Sequence, residues 1–464
     1  MTDTERLLAE LCERSFLKLW SYPNPFKDDR DELCDLLAVF ENHVFIFFDR
    51  EGRQLNKPGV AQGVSWDRWK RKVIDAQIGT AHGAERYIRS GRGIFLDPNL
   101  RIPFPIAFNP MDAVVHKIIV AHGAKEACEA FSDENVYGSL GISYARVNDC
   151  PPFDWPFLVH IDKENPVHIF DSHNLPIILG ELDTFFDFSS YLDIKAETIK
   201  GIDGNIYCGE EDLLAHYLRN FDSARNRHFI GALGKDYNFL HIGEGEWKSF
   251  LDYEPYKRKK IEDAGSYLWD EIIQHTCQNA LDGTLLGNAN ILAGKSAVHE
   301  MAKEPRFSRR ALSKAMIAAI RKFPEGVKGV VRNLSFMPSF YEGKAYVFLQ
   351  LKADDFGDYE KDYRPKRRAA LRIACGAAKN KFDHLHSIIG IAIDSPKYNQ
   401  RNSEDFILMD CSDWPTELRA EYEKANEGFK FFETPGLVMQ KLTISEFPPP
   451  DESASGESGS GAAI

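Results

Sequence analysis

The sequence predicts a mixed α/β (α+β) protein of several domains, and three observations support this. Short apolar runs of strand length alternate with longer segments of helical periodicity. The chain is 43% hydrophobic and 27% charged, which is ordinary globular usage and excludes wholesale disorder. At roughly 100–200 residues per domain, its 464 residues suffice for two to four domains.

The first predicted domain, residues 1–110, runs in the order helix, hairpin, long helix. Apolar residues at helical spacing predict a helix over Glu5–Leu19. Leu36–Phe40 and Val44–Phe48 are rich in β-branched and aromatic residues and predict two buried strands joined by a turn. The segment Trp66–Arg89 is then predicted to form one long helix.

The remaining chain is predicted to form two more domains and a tail. Residues 111–296 give a mixed α/β middle domain, in which 157–161 and 166–170 are expected to pair as a hairpin. Residues 297–446 give a C-terminal α/β domain with basic helices. Residues 447–464 are rich in Pro, then Ser and Gly, which is typical of a disordered tail.

Composition excludes several classes of protein. The net charge of −13 excludes a uniformly basic nucleic-acid coat, although a local basic groove remains compatible with it. No apolar run approaches the ~18 residues of a membrane span, and the first residues lack the features of a signal peptide. None of the eight cysteines forms a CxxC pair, which argues against a zinc ribbon. We therefore expect a cytoplasmic protein with no membrane partner.

The residues that could carry chemistry lie around the predicted hairpin. Glu32 precedes it, Asp35 opens its first strand, and Asp49 and Arg50 end its second. Since side chains alternate along a strand, Arg50 and Asp49 point to opposite faces. Taken singly, each residue is explained as well by a solvated charge or a turn.

In this order, and followed by Gln77 on a long helix, these residues resemble the PD-(D/E)xK nuclease superfamily, in its Mrr/RecB-like branch. The resemblance covers about the first hundred residues and implies a restriction-endonuclease-like domain. It implies that Glu32 and Asp35 bind Mg²⁺ or Mn²⁺, that Arg50 supplies the catalytic cation, and that Gln77 orients a phosphate or a water. Glu85, eight residues after Gln77 on the same helix, would supply a third carboxylate.

Two departures from the family pattern leave an alternative open. Phe48 stands where the pattern has its second acid, and Arg50 replaces a lysine and cannot act as a base. Asp49 is expected to point away from the site unless a bulge turns it. The alternative is a non-catalytic nucleic-acid-binding or scaffold protein built on a degenerate nuclease fold.

A segment next to this site alternates tryptophan with cations and could follow a phosphate backbone. An amphipathic helix with both tryptophans in the core explains the same pattern. The candidate nucleic-acid-binding residues are Arg68, Lys70, Arg71 and Lys72.

The sequence therefore predicts a metal-dependent endonuclease acting on DNA, with RNA and a protein partner or homo-oligomer left open. The resemblance implies a bacterial host and a role in defence against foreign DNA. A third class, an enzyme with zinc or iron between His160 and His168, depends on the predicted hairpin that carries them.

Overall fold

The computed structural model divides the chain into two compact units, Met1–Tyr253 and Glu254–Ile464. The predicted boundary after residue 110 falls inside the first unit, where one sheet joins strands from both sides of it. The structure describes residues 3–17, 20–50, 62–131, 140–146, 156–232, 236–281, 296–355, 357–398, 403–433 and 445–448. Nearly all of the predicted tail lies outside these ranges.

The first unit combines helices with two main sheets, as the mixed α/β prediction requires. Its helices are α1 (Asp3–Phe16), α2 (Gln62–Trp69), α3 (Ala76–Arg89), α4 (Ala124–Phe131), α5 (Asn174–Glu181), α6 (Phe185–Gly201), α7 (Glu210–Arg219) and α8 (Glu246–Leu251). Its strands are β1 (Ser21–Pro23), β2 (Phe26–Lys27), β3 (Leu36–Phe40), β4 (His43–Arg50), β5 (Ile94–Phe95), β6 (Val114–Ala121), β7 (Gly141–Ala145), β8 (Leu158–Asp162), β9 (His168–Phe170), β10 (Gly204–Cys208), β11 (Phe221–Asp222), β12 (Arg227–His228) and β13 (Phe239–Ile242).

The central sheet has the strand order β1-β3-β4-β6-β9. Strands β1, β3 and β4 are antiparallel neighbours, whereas β4, β6 and β9 are parallel. The predicted hairpin is confirmed: Leu36 pairs with Phe47, and Phe40 pairs with His43. Because the hairpin strands are antiparallel, the start of β3 and the end of β4 lie at the same end of the sheet, along the direction of its strands.

Both faces of this sheet are buried. On one face, the rings of Phe45 and Phe47 pack against Phe16 of α1 and Phe188 of α6. On the other face lie α2 and α3, which are joined by a π-helical turn over Lys70–Asp75. Such turns occur frequently at functional sites.

The second sheet corrects one prediction. Its order is β13-β10-β7-β8, so β8 pairs with β7 while β9 joins the central sheet. The predicted hairpin of 157–161 with 166–170 is therefore wrong, although both strands exist. After β8 the backbone N–H of Lys163 bonds to Ala145 and its side chain is buried against Ile202, which holds the chain in the β7–β8 ladder.

The second unit is also a mixed α/β fold. Its helices are α9 (Glu254–Asp263), α10 (Tyr267–Leu281), α11 (Arg306–Lys322), α12 (Arg364–Lys381) and α13 (Thr416–Asn426). Its strands β14 (Val331–Pro338), β15 (Lys344–Lys352), β16 (Ser387–Asp394) and β17 (Glu404–Asp410) form a sheet in that order. The apolar residues of β15 and β16 are buried against α12.

Much of the positive charge predicted on basic helices of this unit is internal. Arg309 is buried and bonds to Asp270, and Arg367 is fully buried between Asp394 and Asp405. Buried guanidinium groups that are paired in this way are neutralised inside the protein and are not available to a polyanion. In the described residues, no helix combines the length and apolar character needed to cross a membrane.

Candidate functional site

Two aspartates meet at the edge of the central sheet where β3 begins and β4 ends. The Asp35 carboxylate accepts a hydrogen bond from the backbone N–H of Asp49, with 2.5 Å between Oδ2 and N. The side chain of Asp49 is fully buried. We call this end of the sheet the carboxyl edge, because the parallel strands β4, β6 and β9 also end there. Ligands of open α/β sheets commonly bind outside the carboxyl ends of parallel strands.

The electrostatics of this pair are unusual. Burial raises the pKa of Asp35 to about 7, although the Asp49 backbone N–H acts to lower it. The nearby charges of Glu32 and Asp49 raise this pKa further. Glu32 is itself exposed and forms an isolated β-bridge with Phe26. Its charge acts on Asp35, but no hydrogen bond joins it to either aspartate among the described residues.

Asp49 is held from the next strand. Its Oδ1 bonds to Nε2 of His122, which follows β6 directly. Its Oδ2 is buried and has no hydrogen-bond partner among the residues that the structure describes. The side chain lies on the face opposite Arg50, as the alternation predicts, yet its backbone and carboxylate both belong to the carboxyl edge. The sequence alone therefore places Asp49 outside the site, and it indicates no role for His122.

The basic segment lies beside this edge. Arg50 is exposed, and its guanidinium donates to the backbone carbonyl of Lys72 over 3.3 Å. Arg68, Arg71 and Lys72 are exposed, whereas Lys70 pairs with Asp75 at 3.4 Å. We refer to Arg50, Arg68, Arg71 and Lys72 together as the basic strip.

The two tryptophans of this segment belong to the core. Trp66 and Trp69 are 1% and 5% exposed, and their rings stack with 5.5 Å between centroids. Trp66 also packs on Phe157. They hold the helix against the protein and are not positioned to stack on a base.

Gln77 and Glu85 occupy different levels of α3. The Gln77 amide is buried and bonds to the carbonyls of Val73 and Val120, next to the carboxyl edge. Its Oε1 has no partner within the described part of the chain. Glu85 lies two helical turns away, where its carboxylate pairs with Lys117 at 2.5 Å and Arg89 at 2.9 Å. The structure thus brings together Glu32, Asp35, Arg50 and Gln77 around one edge and places Glu85 in a separate ion-pair network.

The loops after β6 and β9 continue the polar surface. The backbone N–H of Gly123 bonds to Ser172, which links the two loops. Beyond this bond, Nζ of Lys125 lies 3.1 Å from Nε2 of His173, and that nitrogen lies 3.9 Å from Glu211. Burial, followed by the charge of Asp171, raises the pKa of Glu211 to about 8. A proton donor and a cation therefore accompany the aspartates along the carboxyl edge.

Sequence reasoning missed His122, Lys125 and Glu211. One local signal was available for the first two, since His122 directly follows the apolar run that ends β6 and Lys125 lies in the first turn of the helix after it. Glu211 is brought to the edge by α7 from about 90 residues further along the chain, so no local pattern could place it.

The chain matches no protein-family model, and neither a curated protein nor a solved structure matches it. The resemblance to the PD-(D/E)xK superfamily therefore depends on the residues described above.

Proposed function

We propose that the first unit is a metal-dependent phosphodiesterase that cleaves nucleic acid, with DNA as the first substrate to test. The observation that carries this proposal is the hydrogen bond from the backbone N–H of Asp49 to the Asp35 carboxylate at the carboxyl edge, where burial and the charges of Glu32 and Asp49 raise the pKa of Asp35. Paired, partly buried carboxylates of this kind are stabilised by a cation.

The donor set fits Mg²⁺ or Mn²⁺. These ions commonly bind through one or two carboxylates and keep several waters. Asp49 offers a buried oxygen without another hydrogen-bond partner in the described structure, and Asp35 offers a second carboxylate, which accepts from the backbone N–H of Asp49. A bound ion would activate water and neutralise charge on the phosphate in the transition state.

The other residues of the edge have separable roles in this proposal. His122 fixes the Asp49 carboxylate through Oδ1. Arg50 and the rest of the basic strip attract the phosphate backbone from the solvent side. Gln77 is a positioning residue, because its amide ties the π-helical turn to β6 and is buried from solvent.

The alternative function, binding without cleavage, is favoured by two residues. Phe48 is buried where the family pattern has an acid, and Arg50 cannot release a proton. In that case the basic strip would bind nucleic acid and the aspartates would have a structural role. Defence against foreign DNA would be a use of either activity.

Cleavage by the full-length protein tests the proposal. Supercoiled plasmid, linear duplex, single-stranded DNA and RNA are incubated with Mg²⁺, Mn²⁺ or a chelator. We expect metal-dependent cleavage, and we expect Asp35→Asn and Asp49→Asn each to lower the rate at least about 100-fold, since even outer-shell changes cost 10–100-fold at metal sites. Asp31→Asn is the matched control, because Asp31 is exposed on the same loop.

The basic strip is tested by binding. Arg71→Ala should reduce the slope of log affinity against log salt by about 0.9 for each phosphate that the arginine neutralises. Arg101→Ala, an exposed arginine of the same unit, is the control. Cleavage that survives both aspartate substitutions would place the activity elsewhere. Salt-dependent binding without cleavage in any metal would establish the alternative.

A further inference from the structure

The opposite end of the same sheet carries a second group of ligand-type side chains. His43 opens β4, His116 lies near the start of β6, and Asp193 projects from α6, which covers this face. Each offers one ligand atom, and these atoms all lie within 4.8 Å of one another. No sequence motif indicates the group, because His116 lies 73 positions after His43 and Asp193 lies 77 positions after His116.

The spacing of these atoms suits a small metal ion. Nδ1 of His43 lies 3.1 Å from Nε2 of His116, which lies 3.6 Å from Oδ1 of Asp193. Oδ2 of Asp193 lies 3.8 Å from Nε2 of His43. A tetrahedral ion with bonds of about 2.0–2.1 Å requires ligand atoms about 3.3 Å apart. These contacts use both nitrogens of His43 and both oxygens of Asp193. One ligand atom from each residue, all within 4.8 Å of one another, would need only small side-chain rotations to reach the tetrahedral spacing.

The surroundings hold the two imidazoles in place. The rings of His43 and His116 stack nearly parallel with each other and with Phe45. His116 is buried and His43 is mostly buried, so packing fixes the orientation of both imidazoles.

A further buried histidine lies next to the group. His168 is 3% exposed, and its ring centroid lies 6.1 Å from that of His116. Its Nδ1 is buried without a hydrogen-bond partner in the described part of the structure. On the other side, Asp193 is 40% exposed and His43 21% exposed, which leaves an entry path from solvent.

We propose that His43, His116 and Asp193 bind a divalent transition-metal ion of the zinc type. Imidazole ligands select such ions, whereas Mg²⁺ prefers oxygen. Along β4, Asp49 lies six positions after His43, which separates this site from the carboxyl edge by about 20 Å. The ion would tie α6 to the sheet, and its remaining coordination position would face solvent.

Metal uptake by the full-length protein tests this site independently of any cleavage. The protein is stripped with a chelator and reloaded with Zn²⁺, and the bound metal is counted by elemental analysis. Co²⁺ serves as a spectroscopic probe, because its visible absorption reports tetrahedral nitrogen and oxygen ligands. Mg²⁺ is the competitor that should not displace either ion.

Conservative variants separate this site from others on the protein. We expect His43→Gln and Asp193→Asn each to weaken Zn²⁺ binding by more than about 100-fold. His241→Gln and Asp203→Asn are matched controls, since both residues are exposed in the same unit. Asp35→Asn tests the carboxyl edge separately. Asp193 is only partly buried and Asn has nearly the same shape, so the Asp193→Asn variant should fold normally, which circular dichroism of the metal-free protein verifies.

The proposal requires one bound Zn²⁺ per chain in the wild type, in the controls and in Asp35→Asn. It also requires that the two ligand variants, His43→Gln and Asp193→Asn, retain no Zn²⁺. Failure of the wild-type chain to retain Zn²⁺ or Co²⁺ would overturn it, leaving an ordinary imidazole hydrogen bond. Equal binding by Asp193→Asn and the wild type would also overturn it. Absence of the ion from Asp35→Asn alone would assign the ion to the carboxyl edge.

Discussion

Replacing Asp35 by Asn should stabilise the metal-free protein while abolishing the proposed cleavage. The folded protein raises the pKa of Asp35 from its ordinary value of 3.8 to about 7, mainly by burial. The folded state therefore holds a proton that the unfolded chain releases, and stability falls as the pH rises from about 4 to about 7. Above about pH 7 this decrease is complete. Asn cannot ionise, and its carbonyl oxygen can still accept the hydrogen bond from Asp49.

The magnitude follows from the pKa difference of about three, at about 1.4 kcal/mol for each pH unit. The upper limit is about 4 kcal/mol of unfolding free energy above pH 7. Because water still reaches part of Asp35, screening reduces this, and we expect the variant to gain about 1–3 kcal/mol. At about pH 5 the gain should be less than half as large. The loss of stability accumulates between the two pKa values, and pH 5 lies only about one unit above the lower of them.

Denaturant unfolding of both proteins at about pH 5 and about pH 8, with and without Mg²⁺, measures these quantities. Mg²⁺ should stabilise the wild type near pH 8 and leave Asp35→Asn unchanged, because binding favours the ionised carboxylate. Asp31→Asn should behave as the wild type. A variant that is less stable than the wild type near pH 8, or that gains equally from Mg²⁺, would refute both the buried carboxylate pair and its proposed ion.

Two buried ion pairs give further predictions. Lys195 and Glu210 are fully buried with 2.6 Å between nitrogen and oxygen, so Lys195→Met should cost about 3–5 kcal/mol of unfolding free energy, measured in urea, by leaving Glu210 uncompensated. In the second unit, Arg367→Met should cost a similar amount by removing the buried guanidinium that bonds to both Asp394 and Asp405. Lys366→Met, on the exposed side of the same helix, should change stability by less than about 0.5 kcal/mol. A decrease below about 1 kcal/mol in either buried variant would contradict the pairing.

The parts of the fold that could be predicted are those encoded locally. Leu36–Phe40 and Val44–Phe48 are apolar, short and separated by a tight turn, so both strands and their antiparallel pairing follow from neighbouring residues. The helix predicted over Trp66–Arg89 is present, although the structure inserts a π-helical turn at Lys70–Asp75 that no periodicity indicated. The apolar spacing of Trp66 and Trp69 placed them correctly in the core under the amphipathic alternative.

The parts that could not be predicted depend on partners distant in sequence. The strands around His160 and His168 were predicted, but their predicted pairing with each other is wrong, because a strand's apolar pattern does not specify its neighbour. The same limit applies to the candidate site. Asp35 could be selected from its position before a strand, whereas the importance of Asp49 appears only once His122 contacts it from the end of β6.

The two proposed sites follow from one property of parallel strands. Strands β4 and β6 begin together and end together, so a residue at either end of β4 meets a residue at the matching end of β6. At one end this register joins His43 to His116, and at the other it joins Asp49 to His122. Imidazoles dominate the first pair and carboxylates surround the second, which is why we assign a zinc-type ion to one end and a magnesium-type ion to the other. A shift of this register by one residue would separate both pairs at once.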